Sequence, residues 1–272
     1  MNLMSERLKR ERTKTTNALK AGLVAAQLLN PLAHSKLEAA EIPPNATWEQ
    51  GVTELRRSVM QEPVEYDATS LTFRDGKHRW MKTGAGEATI VRSNYRKMVS
   101  DLSVLVGKEP IANLCDAHTH AVASIATAFK IPLSDSKRAY APPSYGDTFV
   151  VSRGGRSDEI PEIALKAGIQ IDTITATVFD PRGIWYYRTL SDNERKNHPH
   201  QRRYSEIVED FASFHYNFVH ASVRPDFDFQ KEYEQLQQAY RQLIWTEVRF
   251  VPYEEVAKEP PCAGPDYGPQ KK

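Results

Sequence analysis

The spacing of apolar and polar positions along the chain predicts alternating helices and strands. Early in the chain, Val52, Leu55 and Val59 recur at helical spacing, so they share one face of a helix. Thr47 precedes this run as a candidate N-cap, and Gln50 follows three residues later as its capping-box partner. The pattern therefore predicts a helix that begins after Thr47 and packs one side against a core.

Two segments have the pattern of β-hairpins. In residues 65–81, strand-like runs flank the turn dipeptide Asp75-Gly76. In residues 171–187, an alternating β-branched run is followed by a turn at 180–183 and by a short return strand. Each hairpin predicts two antiparallel neighbours in a sheet.

The helical spacing and the strand alternation of apolar residues predict further elements along the chain. Residues 121–146, which contain three prolines and a glycine, predict a loop-rich insertion. The fold class that we expect is mixed α/β, an α+β arrangement with a curved mixed sheet flanked by helices. The additional elements are short strands at 88–91, 111–114 and 248–251, and helices at 95–106, 160–167 and 229–243.

Composition divides the chain into three parts. Residues 1–42 are rich in Ala, Leu, Lys and Glu, which favours a helical N-terminal extension. Residues 43–257 contain both predicted hairpins and most of the apolar positions, so we expect them to form one domain. Residues 258–272 are rich in proline and predict a disordered tail.

Charge and cysteine usage narrow the function classes. Lys and Arg total 36 and Asp and Glu total 35, and a net charge of +1 argues against a nucleic-acid binder. No apolar run approaches the roughly 20 residues of a membrane span. Cys115 and Cys262 are too few for a disulfide framework and favour a reducing, cytoplasmic setting, with a secreted effector as the alternative. The basic residues before the apolar stretch 21–29 resemble a signal peptide only loosely.

His118 and His120 form the strongest candidate for chemistry. They alternate around Thr119, and residues two apart on an extended strand point to the same face. Two imidazoles on one face can bind one metal ion. A catalytic zinc needs about three protein ligands and an open position for water. Asp147 is the nearest candidate for the third ligand.

The pattern His-x-His followed by Ser-x-x-Asp, here His118, His120, Ser144 and Asp147, resembles the signature of JAMM metalloproteases. These proteins are the active branch of the MPN, or JAB, domain family, and the resemblance covers residues 46–190. It implies an MPN-like sheet and a catalytic Zn²⁺ held by the two histidines and the aspartate. It also implies that Ser144 stabilises the oxyanion.

The same resemblance implies a glutamate base on an earlier strand. We favour Glu65, at the start of the first hairpin, with Glu62 and Glu87 as alternatives. The implied activity is hydrolysis of an amide bond by a zinc-activated water, with the glutamate moving the proton. The implied substrates are proteins or peptides, including isopeptide conjugates of ubiquitin-like modifiers.

The chain departs from the family pattern at two places. Ala121 stands where the family has a proline directly after the second histidine, and residues 121–143 make the gap before Ser144 longer than usual. The longer gap predicts an inserted loop beside the site that contacts substrate.

Two other functions fit some of the same residues. The run from Asp116 to His120 also resembles the opening motif of amidohydrolases, but their (β/α)₈ barrel needs about 250 residues. We expect Asp116 to orient a metal-bound imidazole or to belong to a turn, rather than to bind the metal. An MPN-like domain without a working metal site would instead be a binding scaffold.

Structural explanations compete with the catalytic ones. Ser144 could be an ordinary loop serine, and Asp147 could be a helix cap, a position that Asp favours. The remaining candidates are expected to be structural: the solvated pair His198 and His200, the histidines His215 and His220 in an aromatic stretch, and the buried Cys115.

Overall fold

The protein was analysed as a computed structural model, which describes residues 42–85, 109–152, 164, 168–190, 194 and 204–256. Its first described helix, α1 (Trp48–Gln61), begins where the sequence predicts. The Thr47 hydroxyl accepts the backbone N–H of Gln50 at 3.2 Å, and the Gln50 side chain accepts the backbone N–H of Thr47 at 2.8 Å. The predicted capping box is therefore confirmed.

Six strands form one mixed sheet. Both hairpins and the final strand are confirmed, and the strand predicted at 111–114 extends through Thr119. In the sheet order β2-β1-β3-β4-β5-β6, β3 and β4 are parallel and the other neighbouring pairs are antiparallel. The strands are β1 (Tyr66–Phe73), β2 (His78–Ala85), β3 (Ile111–Thr119), β4 (Ile171–Phe179), β5 (Gly183–Thr189) and β6 (Thr246–Pro252).

The expectation of a loop-rich insertion at 121–146 was wrong in part. The segment forms α2 (Val122–Phe129), the short α3 (Leu133–Ser136) and the start of α4 (Tyr145–Ser152). Val122 and Ile125 are buried, and this apolar contact stabilises a helix that the nearby prolines do not interrupt. Irregular backbone remains at 139–144.

Helices cover both faces of the sheet. After β5 come α5 (Tyr204–Ser222) and α6 (Phe229–Ile244), and the short α7 (Tyr253–Val256) follows β6. The amphipathic helix α6 is confirmed, whereas the sequence patterns did not single out α5. No helix in the described ranges is both long enough and apolar enough to cross a membrane.

The core has two main layers, one on each side of the sheet. Successive residues of β5 point to opposite faces, as in any strand. Tyr186 packs with the apolar face of α1, whereas Trp185 and Tyr187 pack with α5 and α6. Burying side chains of this size stabilises the fold by about 1.5–3 kcal/mol each. The mixed α/β architecture, a six-stranded mixed sheet flanked by helices, is as expected.

Several expectations lie outside the described residues. They are the N-terminal extension over 1–42 apart from its last residue, the strand at 88–91, the helix at 95–106 and the tail over 258–272. The (β/α)₈ alternative finds no support in the described residues, because their open sheet contains one parallel pair rather than eight parallel strands.

Cys115 lies in the middle of β3 and is fully buried, as expected. Its sulfur is not a free thiol, however, but part of a disulfide. The other cysteine of the chain, Cys262, lies outside the described residues. A disulfide is a structural role, as expected for Cys115, but the sequence did not predict this bond.

Gly51 allows α1 to approach the sheet closely. A β-carbon at this position would overlap the indole of Trp80, which is buried and donates its Nε1–H to the Thr47 carbonyl at 3.1 Å. We predict that Gly51→Ala destabilises the protein by about 1–3 kcal/mol. Overpacking outweighs the gain in helix propensity of about 1 kcal/mol. Chemical denaturation of both proteins measures the difference.

Gly146→Ala is the matched control. Gly146 is also helical but exposed, and a β-carbon there would meet only the Ser144 hydroxyl, at 3.4 Å. This variant should be neutral or stabilised by up to about 1 kcal/mol. Equal effects of the two substitutions would show that close packing against Trp80 is not the constraint.

Candidate metal centre

The two histidines of the motif lie at the end of β3. His118 is the next-to-last residue of this strand and pairs with Asp67 of β1. Thr119, between the histidines, accepts the backbone N–H of Tyr66 at 2.8 Å through its buried hydroxyl. This bond extends the β1–β3 contact to the ends of both strands. The same antiparallel register, continued by two residues, places Glu65 opposite His120.

Asp147 lies in the first turn of α4, where Ser144 is the N-cap. The Ser144 hydroxyl accepts the backbone N–H of Asp147 at 3.3 Å, and the Asp147 carboxylate accepts the backbone N–H of Ser144 at 2.6 Å. The Ser144 carbonyl accepts the backbone N–H of Thr148, the first bond of the helix. The Ser-x-x-Asp pattern is thus a reciprocal capping box. The N-cap is therefore Ser144 rather than Asp147, and Asp147 is its partner three residues later, a position that fixes the direction of its carboxylate.

The cap directs the Asp147 carboxylate at both histidines. Its Oδ1 lies 3.3 Å from Nε2 of His118, and its Oδ2 lies 3.4 Å from Nε2 of His120. The candidate ligand atoms of the three residues all lie within 4.8 Å of one another. This group could hold a metal ion. The Asp147 side chain keeps 21% of its exposure, so the group is open to solvent on this side.

The ring of His120 is oriented by the backbone. Its Nδ1 lies 3.0 Å from the carbonyl oxygen of Ala141. A carbonyl only accepts, so Nδ1 carries the proton and donates it to Ala141. In the neutral ring, Nε2 is then the nitrogen with a free lone pair, and it faces Asp147. Such a bond to the remote ring nitrogen is typical of histidines that bind metals.

His118 has a buried nitrogen that needs a ligand. The residue is 4% exposed, and its Nε2 makes no well-aligned hydrogen bond to any described residue. Leaving a buried polar atom unsatisfied costs about 1–3 kcal/mol. A metal ion beside Oδ1 of Asp147 would satisfy it, so the donor set fits a metal on grounds of both chemistry and geometry.

Electrostatics couple the three residues in the metal-free protein. Burial alone would lower the pKa of His120, but the Asp147 carboxylate and Glu65 raise it to about 9. Burial would raise the pKa of Asp147, but the two adjacent imidazoles hold it well below its usual value. A proton on His120 therefore balances the carboxylate when no cation is present.

Glu65 belongs to the same electrostatic group. Burial raises the pKa of Glu65, His120 and His118 oppose this shift, and Asp147 adds to it. Glu62 caps the C-terminus of α1 and lies 3.9 Å from Arg57. Of the two described candidates for the base, Glu65 is therefore the one tied to the cluster. Glu87 lies outside the described residues.

The other candidates divide into three groups. Asp116 lies within β3 and is buried, but it is not part of the candidate metal group. His198 and His200 lie outside the described residues. His215 is more than a packing histidine, because its Nε2 contacts the carbonyl oxygen of Pro142 at 3.0 Å. No sequence signal identified this contact, since it joins α5 to a loop 73 positions earlier.

Comparisons with protein-family models, with curated proteins and with solved structures find no significant match to this chain.

Proposed function

We propose that this protein is a zinc-dependent peptidase or isopeptidase with an MPN-like arrangement of its site. The observation that carries the proposal is the convergence of His118, His120 and Asp147, with Glu65 in electrostatic contact with them. Three protein ligands and an adjacent carboxylate are the parts that a catalytic zinc hydrolase requires. Glu65 is what distinguishes a catalytic site from a structural one, because a structural metal site does not require a general base.

Zinc is favoured by the donor set. Two imidazole nitrogens and one carboxylate oxygen suit zinc, and a three-ligand set leaves a position for water. Magnesium and calcium prefer oxygen donors throughout. The same donor types also occur around non-haem iron, so the identity of the metal requires direct measurement.

Glu65 and Ser144 have separate roles in the proposed hydrolysis. Zinc would supply Lewis acidity and lower the pKa of its bound water to about 7. Glu65 takes the proton from the attacking water and delivers it to the leaving amine. Its raised pKa suits both steps, since the carboxyl must accept the proton and then release it. The Ser144 hydroxyl accepts only a weak backbone bond, so its own proton can be donated to the developing oxyanion.

The substrate class proposed is a protein or peptide amide, including an isopeptide to a ubiquitin-like modifier. Partial exposure of Asp147 and of the neighbouring Gly146 supports access for a polypeptide chain at this side of the site. A binding scaffold would need neither the buried Nε2 of His118 nor the carboxylate of Glu65 beside it. No observation favours a nucleic-acid substrate.

Metal content tests the ligand set. We expect about one zinc per wild-type chain, and less than a tenth of that in His118→Ala, His120→Ala and Asp147→Ala. Each substitution removes one of three ligands. His78→Ala, which changes a half-buried histidine on β2, should keep its metal. Plasma mass spectrometry of purified proteins measures these values. If Asp147→Ala retained its zinc, the third ligand would have to be a different residue.

Glu65→Gln separates catalysis from metal binding. We expect this variant to keep its zinc and to lose about 10²–10⁴-fold in kcat, because the amide cannot accept the proton. Hydrolysis of ubiquitin-like isopeptide conjugates and of a peptide library measures the loss. Glu62→Gln is the matched control and should retain activity. The reverse result, with Glu62→Gln inactive and Glu65→Gln active, would reassign the base.

Zinc affinity should depend on pH through His120. The pKa of about 9 means that metal-free His120 holds a second proton at pH 7, which zinc must displace. The apparent affinity should therefore rise about tenfold per pH unit between pH 6.5 and 8.5. Calorimetry in two buffers of different ionisation enthalpy should show about one proton released at pH 7. A flat pH profile without proton release would contradict this protonation state.

A further inference from the structure

The segment Tyr140–Ser144, here called the site loop, connects the candidate metal ligands. It begins beside the carbonyl of Ala141 that orients His120, and it ends at the Ser144 cap that aims Asp147. Both ligand contacts therefore depend on the position of one irregular backbone segment. A loop without a ladder of hydrogen bonds needs other contacts to hold it.

Three buried side chains supply those contacts, one to each of three consecutive residues. Asp180 accepts the backbone N–H of Ala141 at 2.8 Å. His215 lies 3.0 Å from the carbonyl oxygen of Pro142, and Tyr240 donates its hydroxyl to the carbonyl of Pro143. The three side chains come from different elements, namely the β4–β5 turn, α5 and α6. All three side chains are buried.

The two prolines of the site loop limit which hydrogen bonds its backbone can form. Pro142 and Pro143 have no N–H, so their carbonyls are the only polar groups that their backbone offers. A carbonyl only accepts, and His215 must therefore carry its proton on Nε2 to bond Pro142. The fixed φ angle of proline leaves the loop few other conformations. Because His215 and Tyr240 bond to these two carbonyls, they favour a single conformation of the site loop.

The Asp180 side chain is itself fixed in place by several hydrogen bonds. Its Oδ2 also accepts the indole N–H of Trp185 at 2.6 Å, and its Oδ1 accepts the backbone N–H groups of Arg182 and Gly183 at 2.7 and 2.8 Å. The hydroxyl of Tyr253 donates to the Asp180 carbonyl at 2.7 Å. The β4–β5 turn therefore presents this carboxylate to Ala141 from a fixed place.

Packing alone does not explain these polar groups. The layer that contains Tyr240 is otherwise formed by aromatic and aliphatic side chains of the sheet, α5 and α6. A buried polar group costs free energy unless it is hydrogen-bonded, so apolar side chains of the same shape would serve a purely structural core at least as well. What the polar groups add is directional control of the site loop.

We propose that Asp180, His215 and Tyr240 are positioning residues that act on the metal site through the backbone of the site loop. They hold the Ala141 carbonyl against Nδ1 of His120 and hold the residue before Ser144 in register with the α4 cap. This role rests on the proposed function, since it assumes that the cluster binds a metal. None of the three residues touches the reacting atoms.

Tyr240→Phe tests the proposal, with Tyr233→Phe as the matched control. Both tyrosines lie on α6, seven residues apart, and both use their hydroxyls. The Tyr233 hydroxyl bonds Phe250 of β6 at 3.0 Å rather than the site loop. We expect Tyr240→Phe to weaken zinc binding about 10–100-fold and Tyr233→Phe to change it less than about 2-fold. Competition with a chromophoric chelator measures both affinities.

His215 allows a rescue experiment. His215→Phe should fit between the neighbouring rings of Phe129 and Phe211 but lose the donor to Pro142. His215→Gln places an amide N–H close to where Nε2 was. We expect zinc affinity to fall in His215→Phe and to recover in His215→Gln, although glutamine packs less well there. Cobalt-substituted protein should show a changed visible absorption band in the first variant only.

The outcomes distinguish the two proposals. Wild-type protein that takes up no metal at the three ligands would overturn the proposed function and the positioning role together. Wild-type protein that binds zinc, with Tyr240→Phe and His215→Phe equal to Tyr233→Phe in affinity and in cobalt spectrum, would overturn the positioning role alone. Thermal unfolding of each metal-free variant identifies a general loss of stability. Loss of affinity that merely follows loss of stability, in control and test variants alike, would also reject the positioning role.

Discussion

Strand β3 is bonded along both edges, and the position of the candidate site depends on that constraint. On one edge it pairs antiparallel with β1, and on the other it pairs parallel with β4. A one-residue slip in either ladder would turn both histidines to the opposite face of the sheet. The bond from Tyr66 to Thr119 extends the pairing to the strand end. The sheet register thus brings Glu65 to the histidines, although more than fifty residues separate them along the chain.

The third candidate ligand lies at a helix terminus, where a negative charge is favourable. Asp147 lies in the first turn of α4, where exposed N–H groups and the helix dipole favour negative charge. Its carboxylate accepts the Ser144 N–H with one oxygen and faces the imidazoles with both. A cap is worth about 1 kcal/mol of stability, so this pair stabilises α4 independently of any metal. The spacing of Ser144 and Asp147 thus caps the helix and places the carboxylate beside both imidazoles.

The sequence predicted those parts that depend on local pattern. The capping box of α1, the two hairpins and α6 follow from the spacing of polar and apolar residues. That His118 and His120 lie on the same face follows from the alternation of side chains along a strand. Helix α2 was missed because its stability comes from burial of Val122 and Ile125, which no local rule reveals. The contacts of His215 and Tyr240 with the site loop were missed for a related reason. Their partners are backbone carbonyls of a distant loop, and a carbonyl has the same chemistry in every residue.

The raised pKa of His120 allows this ring to carry a proton beside the Asp147 carboxylate. The Asp147 carboxylate and Glu65 raise the pKa of His120 to about 9, so a charged imidazole can balance the partly buried carboxylate. The three candidate ligands are therefore assembled without a metal, unlike the ligands of small zinc domains, which fold only on binding. Assembly in advance requires that the backbone around the ligands also be fixed in advance. Rigid prolines and buried donors beside His120 meet that requirement, since they set the geometry without the metal.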